Sequence, residues 1–63
     1  IAAIKSHLAR HENEGAALHS VALLNSLDRE LLRAQRDDVS EIATRAERVG
    51  PRAAEQARLL RGD

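Results

Sequence analysis

The chain has 63 residues, in which ten Lys and Arg balance ten Asp and Glu, and it contains no aromatic residue, methionine or cysteine. This composition excludes disulfides, catalytic thiols, thioether metal ligands and stacking of aromatic rings on bases or sugars. The apolar 43% is made up of Ala, Leu, Ile and Val, and the abundant Leu, Ala, Arg and Glu are strong helix formers. We therefore expect an all-α fold, a small helical bundle or helical hairpin of two to four amphipathic helices.

The small size of the chain predicts a marginal core. A domain of about 60 residues buries only about 60% of the surface that its unfolded chain exposes. Small scaffolds usually supplement such a core with a disulfide, a metal or an oligomer, and the absence of cysteine leaves oligomerisation or a partner helix. We interpret residues 1–63 as a single helical module, either a segment of a longer chain or a small subunit of a complex. No signal peptide and no membrane span are predicted, because the longest apolar run falls far short of about 20 residues, and a cytoplasmic location is favoured.

The first predicted helix carries Ile1, Ile4, Leu8 and His11 at spacings of three and four residues, which is typical of one helical face. The segment 13–15 interrupts that face. Its asparagine is a good helix N-cap, and its glycine costs about 1 kcal/mol relative to Ala inside a helix. The sequence therefore predicts a helix boundary at 13–15, although a continuous helix through the glycine stays open.

The second predicted helix has the widest apolar stripe in the chain. A stripe wider than a coiled-coil seam indicates contact with two neighbours, and the surplus of aliphatic side chains indicates a docking surface for another helix. The predicted partner-binding residues are the apolar anchors Leu18, Val21, Leu24, Leu27 and Leu31, together with Arg29 and Glu30, which would set the register.

Two interpretations remain open where this stripe weakens, at residues 35–38. Asp38 and Glu41 have the spacing of a capping box and would favour a new helix N-terminus. Alternatively, Val39 and Ile42 continue the apolar stripe at nearly the same phase, as in one uninterrupted helix.

The dipeptide Gly50-Pro51 is the clearest helix boundary in the sequence. Glycine at a helix end can adopt the left-handed conformation, and proline is suited to the first position of the next helix. Apolar residues recur at helical spacing on both sides of the dipeptide. We therefore predict an antiparallel helical pair in which the final helix folds back on residues 39–49.

The charged residues alternate in acidic and basic blocks. The basic blocks are Arg29, Arg33 and Arg36, then Arg45, Arg48 and Arg52. Nucleic-acid binding usually requires a net basic field and, for single strands, aromatic rings for stacking, and this chain has neither. The favoured function is a non-enzymatic helical protein–protein interaction module, such as a dimerisation, adaptor or chaperone-like subunit, that binds another helical protein or itself. The alternative is binding of an RNA or DNA phosphate backbone by the arginine stripes.

The histidines offer one candidate metal cluster, His7, His11 and Glu14, which a continuous helix would place on one face. The zinc-protease signature requires glutamate directly after the first histidine, and Leu8 stands there. We therefore predict no metal and no cofactor. If His11 lies on the packed face of its helix, burial would lower its pKa and acid would destabilise the fold.

No catalytic set is predicted. The serines lack the Gly-x-Ser-x-Gly context of a nucleophile elbow, and the three isolated glycines form no phosphate-binding loop. The last residues, Arg61-Gly62-Asp63, match a cell-adhesion tripeptide, but a match of three residues is too short to be specific. We therefore expect a protein that is not an enzyme.

Overall fold

A computed structural model describes residues 1–62 and shows an all-α fold, which confirms the predicted class. Within that range it contains five helices rather than two to four, and no strand. The helices are α1 (Ala2–Arg10), α2 (Glu14–Asn25), α3 (Arg29–Ala34), α4 (Arg36–Val49) and α5 (Pro51–Arg61). None of these helices is long and apolar enough to cross a membrane.

The boundary between α1 and α2 lies where the sequence predicts it. The side chain of Asn13 accepts a hydrogen bond from the backbone N–H of Ala16 at 2.9 Å, which makes Asn13 the N-cap of α2. Gly15 is the second residue of α2 and therefore lies within the helix. The asparagine thus determines where α2 begins, and the glycine does not end a helix.

A break that the apolar stripe did not predict separates α2 from α3. The hydroxyl of Ser26 donates to the carbonyl of Leu23 at 2.7 Å, and the carboxylate of Asp28 accepts from the N–H of Glu30 at 2.8 Å as the N-cap of α3. Leu27 and Leu32 occupy the two positions of a hydrophobic staple around that cap, and both belong to the core or pack against it. These local interactions end α2 and start a six-residue helix, which accounts for the additional element.

The chain also breaks between α3 and α4, so the interpretation with a new helix at 35–38 is correct and the continuous helix is wrong. The boundary residue is Gln35, however, and not Asp38. Asp37 and Asp38 lie in the first turn of α4, where their negative charges interact favourably with the helix dipole. Asp38 accepts a hydrogen bond from Lys5 of α1 at 2.8 Å.

The predicted antiparallel pair is present, since α5 begins at Pro51 and its last residue reaches back to α4 through a hydrogen bond from Arg61 to Thr44. The prediction that Gly50 is left-handed is wrong, because its φ of 167° and ψ of 159° are extended. Glycine instead provides space at this position. A Cβ there would collide with the side chain of Glu14, which lies over the start of α5.

The core lies where α2, α4 and α5 pack against one another, with one buried leucine each from α1 and α3. Its largest fully enclosed side chains are Leu8, Leu24, Ile42 and Val21. Alanines fill the rest, and five of them are completely buried: Ala17, Ala43, Ala46, Ala53 and Ala57. Because a methyl group needs little space, the helix backbones can approach closely. The core can therefore exclude water without large aromatic side chains.

Candidate functional site: the arginine groove

A surface groove of about 750 Å³ lies where α3, the first turns of α4 and the last turn of α5 meet. Four arginines, three aliphatic residues, a serine and a glycine line it. We call it the arginine groove, and its residues are Arg29, Leu32, Arg33, Arg36, Val39, Ser40, Leu60, Arg61 and Gly62.

Helical spacing explains why these side chains share one surface. The lining residues of α3 and α4 stand at positions 29, 32, 33, 36, 39 and 40, separated by steps of three, one, three, three and one. Such steps keep side chains on one face of a helix. Only Gln35 lies between the two helices, and the face of α3 and the face of α4 line the same groove. The end of α5 forms the opposite wall.

The floor of the groove is aliphatic and lies at the edge of the core. Leu32, Val39 and Leu60 keep 6%, 9% and 5% of their surface exposed, whereas the other buried hydrophobic residues within 1–62 are at 0%. All three line the same groove. Other hydrophobic residues that pack against the core, such as Ile4 and Leu27, are half-buried, so the groove is one of several places where the core reaches the surface.

The rim of the groove is basic, and one of its arginines is fixed in place. The guanidinium of Arg61 donates to Ser40 at 3.4 Å and to Thr44 at 2.9 Å, and lies 3.1 Å from a carboxylate oxygen of Glu47. These three partners follow one another along one face of α4. Arg61 also lines the groove, so its side chain is held at the rim by α4.

The other three rim arginines, Arg29, Arg33 and Arg36, have exposed side chains. Among residues 1–62, none of them has an acidic partner within 4.0 Å. The first arginine stripe predicted from the sequence therefore lies together on one surface, and none of its members forms an ion pair within the described part of the chain.

The second predicted stripe differs, because its first arginine is already paired. Arg45 lies 3.2 Å from Glu12 and 3.7 Å from Glu41. A further ion pair joins Lys5 to Asp38 at 2.8 Å. The hydrogen bond to Asp38 raises the pKa of Lys5 above its usual value of 10.5, and the negative charge of Asp38 adds to the effect. Charged residues of α4 thus pair with Lys5 of α1 and with Glu12 of the segment between α1 and α2.

The predicted docking residues do not form a single surface. Val21 and Leu24 are fully buried in the chain's own core, and Leu18 and Leu27 are half-buried. Leu31 is 41% exposed. The remaining two residues, Arg29 and Glu30, are exposed on α3, and Arg29 lines the groove.

The reason for this division is the break at residues 26–28, which separates the stripe into two helices. The part on α2 faces α4 and α5, whereas the part on α3 contributes to the surface. Helical phase identified the apolar residues correctly, but it could not distinguish core from surface without the position of the break.

The candidate metal cluster is divided between elements. His7 belongs to α1, His11 caps its end, and Glu14 is the first residue of α2. Within the described part of the chain, no group of three histidine, cysteine or acidic side chains is placed to hold a metal ion. The expectation that His11 packs beside Ile4 is wrong, because α1 ends at Arg10 and His11 is exposed. The argument for destabilisation by acid through burial of His11 no longer applies.

Sequence reasoning missed the floor of the groove and its fixed arginine. Leu60, Arg61 and Gly62 lie at least twenty residues from the rest of the lining, so only the antiparallel return of α5 brings them there. Asp63, the last residue of the adhesion tripeptide, lies outside the described residues, and Arg61 of the same tripeptide is engaged by α4.

The fold and the groove together define a small all-α protein with a basic-rimmed groove at the edge of its core. Comparison of the chain with protein-family models, with curated proteins and with solved structures finds no match.

Proposed function

We propose that the protein is a non-enzymatic helical protein–protein interaction module, a dimerisation, adaptor or chaperone-like subunit whose contact surface is built on α3 and the arginine groove. The observation that carries this proposal is a groove that combines an aliphatic floor at the edge of the core, formed by Leu32, Val39 and Leu60, with a basic rim. A helix placed there would cover the edge of the core, which is how an amphipathic helix docks in a hydrophobic groove.

The residues around the floor suit a protein interface. Arginine side chains present apolar stems and a charged end, and arginine is enriched in interfaces and among the residues that dominate binding energy. Leu31 stands beside the groove on α3 with 41% of its surface exposed. Together with Glu30 it offers an apolar contact and a charge at the edge of the surface.

The proposal is tested with two matched leucine substitutions, Leu31→Glu on α3 and Leu59→Glu on α5. Both leucines are exposed, at 41% and 53%, and neither lines the groove. Sedimentation velocity over a range of concentrations measures self-association, and anisotropy with acidic, neutral and basic amphipathic helical peptides measures binding of partners. We expect association in at least one assay, weakened by Leu31→Glu and unchanged by Leu59→Glu. A folded monomer without affinity for any of the peptides would refute the proposal.

A second candidate function is binding of a nucleic-acid phosphate backbone, and the observation in its favour is the set of three rim arginines without acidic partners. If three phosphates are neutralised, the logarithm of the association constant should fall with a slope of about −2.7 against the logarithm of salt concentration. Anisotropy with labelled duplex RNA and DNA at several salt concentrations measures that slope. The absence of binding at low salt would eliminate this function.

A further inference from the structure

We infer that the arginine groove selects an acidic amphipathic helix of a different protein. This inference rests on the proposed function and specifies the chemistry of the partner. The three properties that carry it are the charge of the rim, the aliphatic floor and the distribution of acidic residues over the chain's own surface.

The charge of the rim favours carboxylates. Arg29, Arg33 and Arg36 have no acidic partner within 4.0 Å among residues 1–62, and Arg61 is held beside them by α4. A guanidinium fork matches a carboxylate in a bidentate geometry. A basic partner would bring like charges together, which costs binding energy and excludes the wrong partner.

A partner that fills the groove needs an apolar side chain to cover the floor, in addition to charges that match the rim. Leu32, Val39 and Leu60 form the base of a groove of about 750 Å³, which is within the range of about 300–1,000 Å³ that is common for binding pockets. Two turns of helix are about 11 Å long and fit across a molecule with extents of 27 × 24 × 17 Å. A phosphate backbone carries no aliphatic side chain that would cover the floor. An amphipathic helix can therefore contact both the rim and the floor, whereas a nucleic acid would contact mainly the rim.

A second copy of this chain does not present the required helix. Its exposed large aliphatics within residues 1–62 are Leu23, Leu31 and Leu59. At spacings of three and four residues in the sequence, Leu59 has Glu55 and Asp63, Leu31 has Asp28, and Leu23 has no carboxylate. None of these leucines has three carboxylates beside it, so an acidic helix of another protein matches the three arginines better than a second copy does.

The test uses a fluorescein-labelled amphipathic peptide of about 14 residues, or about four helical turns, with leucines at positions three and four apart and glutamates beside them. One control peptide carries lysine for every glutamate, and a second carries serine for every leucine. A labelled duplex RNA is the fourth probe. Anisotropy is measured on the whole chain at low and moderate salt concentration.

The groove variant is R33E/R36E, and its matched control is R48E/R52E. Each double substitution changes the net charge equally. Each also places one glutamate in the last turn of a helix and one in the first turn of the next, so effects on helix dipoles are similar. All four arginines are exposed. Circular dichroism and thermal melting establish that both variants are folded before binding is measured.

We expect the acidic peptide to bind the wild-type chain and the control variant alike, and to bind R33E/R36E at least about tenfold more weakly, because close interfacial charge pairs are strongly coupled. The lysine and serine peptides should both bind weakly. Equal loss in the two variants, or binding that survives removal of the leucines, would overturn the inference. Preference for the RNA duplex would support phosphate binding instead. Self-association without binding of the acidic peptide would refute this inference while leaving the proposed function intact.

Discussion

The close packing of α2, α4 and α5 predicts that one buried alanine cannot be enlarged without a substantial loss of stability. Ala46 on α4 is fully buried, whereas Ala22 on α2 is exposed in mid-helix. Valine in place of either alanine lowers helix propensity by about 0.5 kcal/mol. Only at position 46 must the added methyl groups also displace neighbours, because that side chain is fully enclosed.

The magnitude follows from this difference. Overpacking a well-packed core typically costs about 1–3 kcal/mol, and a chain of this size has a total stability of about 3–9 kcal/mol. The entropy of unfolding of about 2.1 cal/mol/K per residue gives about 0.13 kcal/mol/K for 63 residues. Ala46→Val should therefore lower the melting temperature by about 8–23 °C more than Ala22→Val does.

The assay is thermal and urea denaturation followed by far-ultraviolet circular dichroism, with the wild-type chain, Ala22→Val and Ala46→Val measured side by side. A tightly packed alanine interface predicts clearly separated transitions for the two variants. If they lose the same stability, the helices have room for larger side chains, and the reasoning that alanines close this core by bringing backbones together is refuted.

Three further outcomes follow from local contacts. Val39→Ile should be neutral or stabilising by up to about 0.8 kcal/mol, because the added methylene can extend into the open groove. Urea titrations measure the change in stability. A loss above about 1 kcal/mol, an amount typical of overpacking, would show that the groove has no space for the methylene. Asn13→Ala should cost about 1 kcal/mol by removing the N-cap of α2, and Asn13→Asp, which preserves the cap, should restore the melting temperature. Lys5 is the only lysine, and the chain has no tyrosine or cysteine, so it is the side chain whose titration is expected at alkaline pH below the range of arginine. The pKa of Lys5 is raised in the folded state, so its ion pair with Asp38 stabilises the fold at pH values below the pKa of Lys5 in the unfolded chain. This stabilisation is lost as the pH rises through the pKa of Lys5 in the folded state. The free energy of unfolding should therefore fall at alkaline pH in the wild type and stay constant in Lys5→Arg.

The sequence allowed the fold class and two of its boundaries to be predicted because those features depend on local chemistry. Asn13 caps a helix through its own side chain, and Gly50-Pro51 separates two helices because proline cannot continue the preceding one. The stripe from Leu18 to Leu31 was misleading for the same reason. Its period is helical throughout, and the break at 26–28 depends on a serine, a leucine and an aspartate that fit an exposed helix equally well.

The arginine groove could be predicted only in part. The spacing of Arg29, Arg33 and Arg36 places them on one face, and this was visible in the sequence. Leu60 and Arg61 join them through the return of α5, which depends on tertiary packing. Whether a leucine lies in the core or at the edge of the core is likewise a property of the neighbours of its helix, and periodicity contains no information about them.

The opening into the core follows from how the chain closes the rest of its interior. Alanines suffice between α2, α4 and α5 because those helices are 11 to 14 residues long and can lie close together. Helix α3 has six residues and contributes a single buried side chain, Leu32. One leucine cannot fill the space between the beginning of α4 and the end of α5, and the chain has no aromatic residue that could. The gap is lined by four arginines, whose apolar stems would add contact area to the proposed interface.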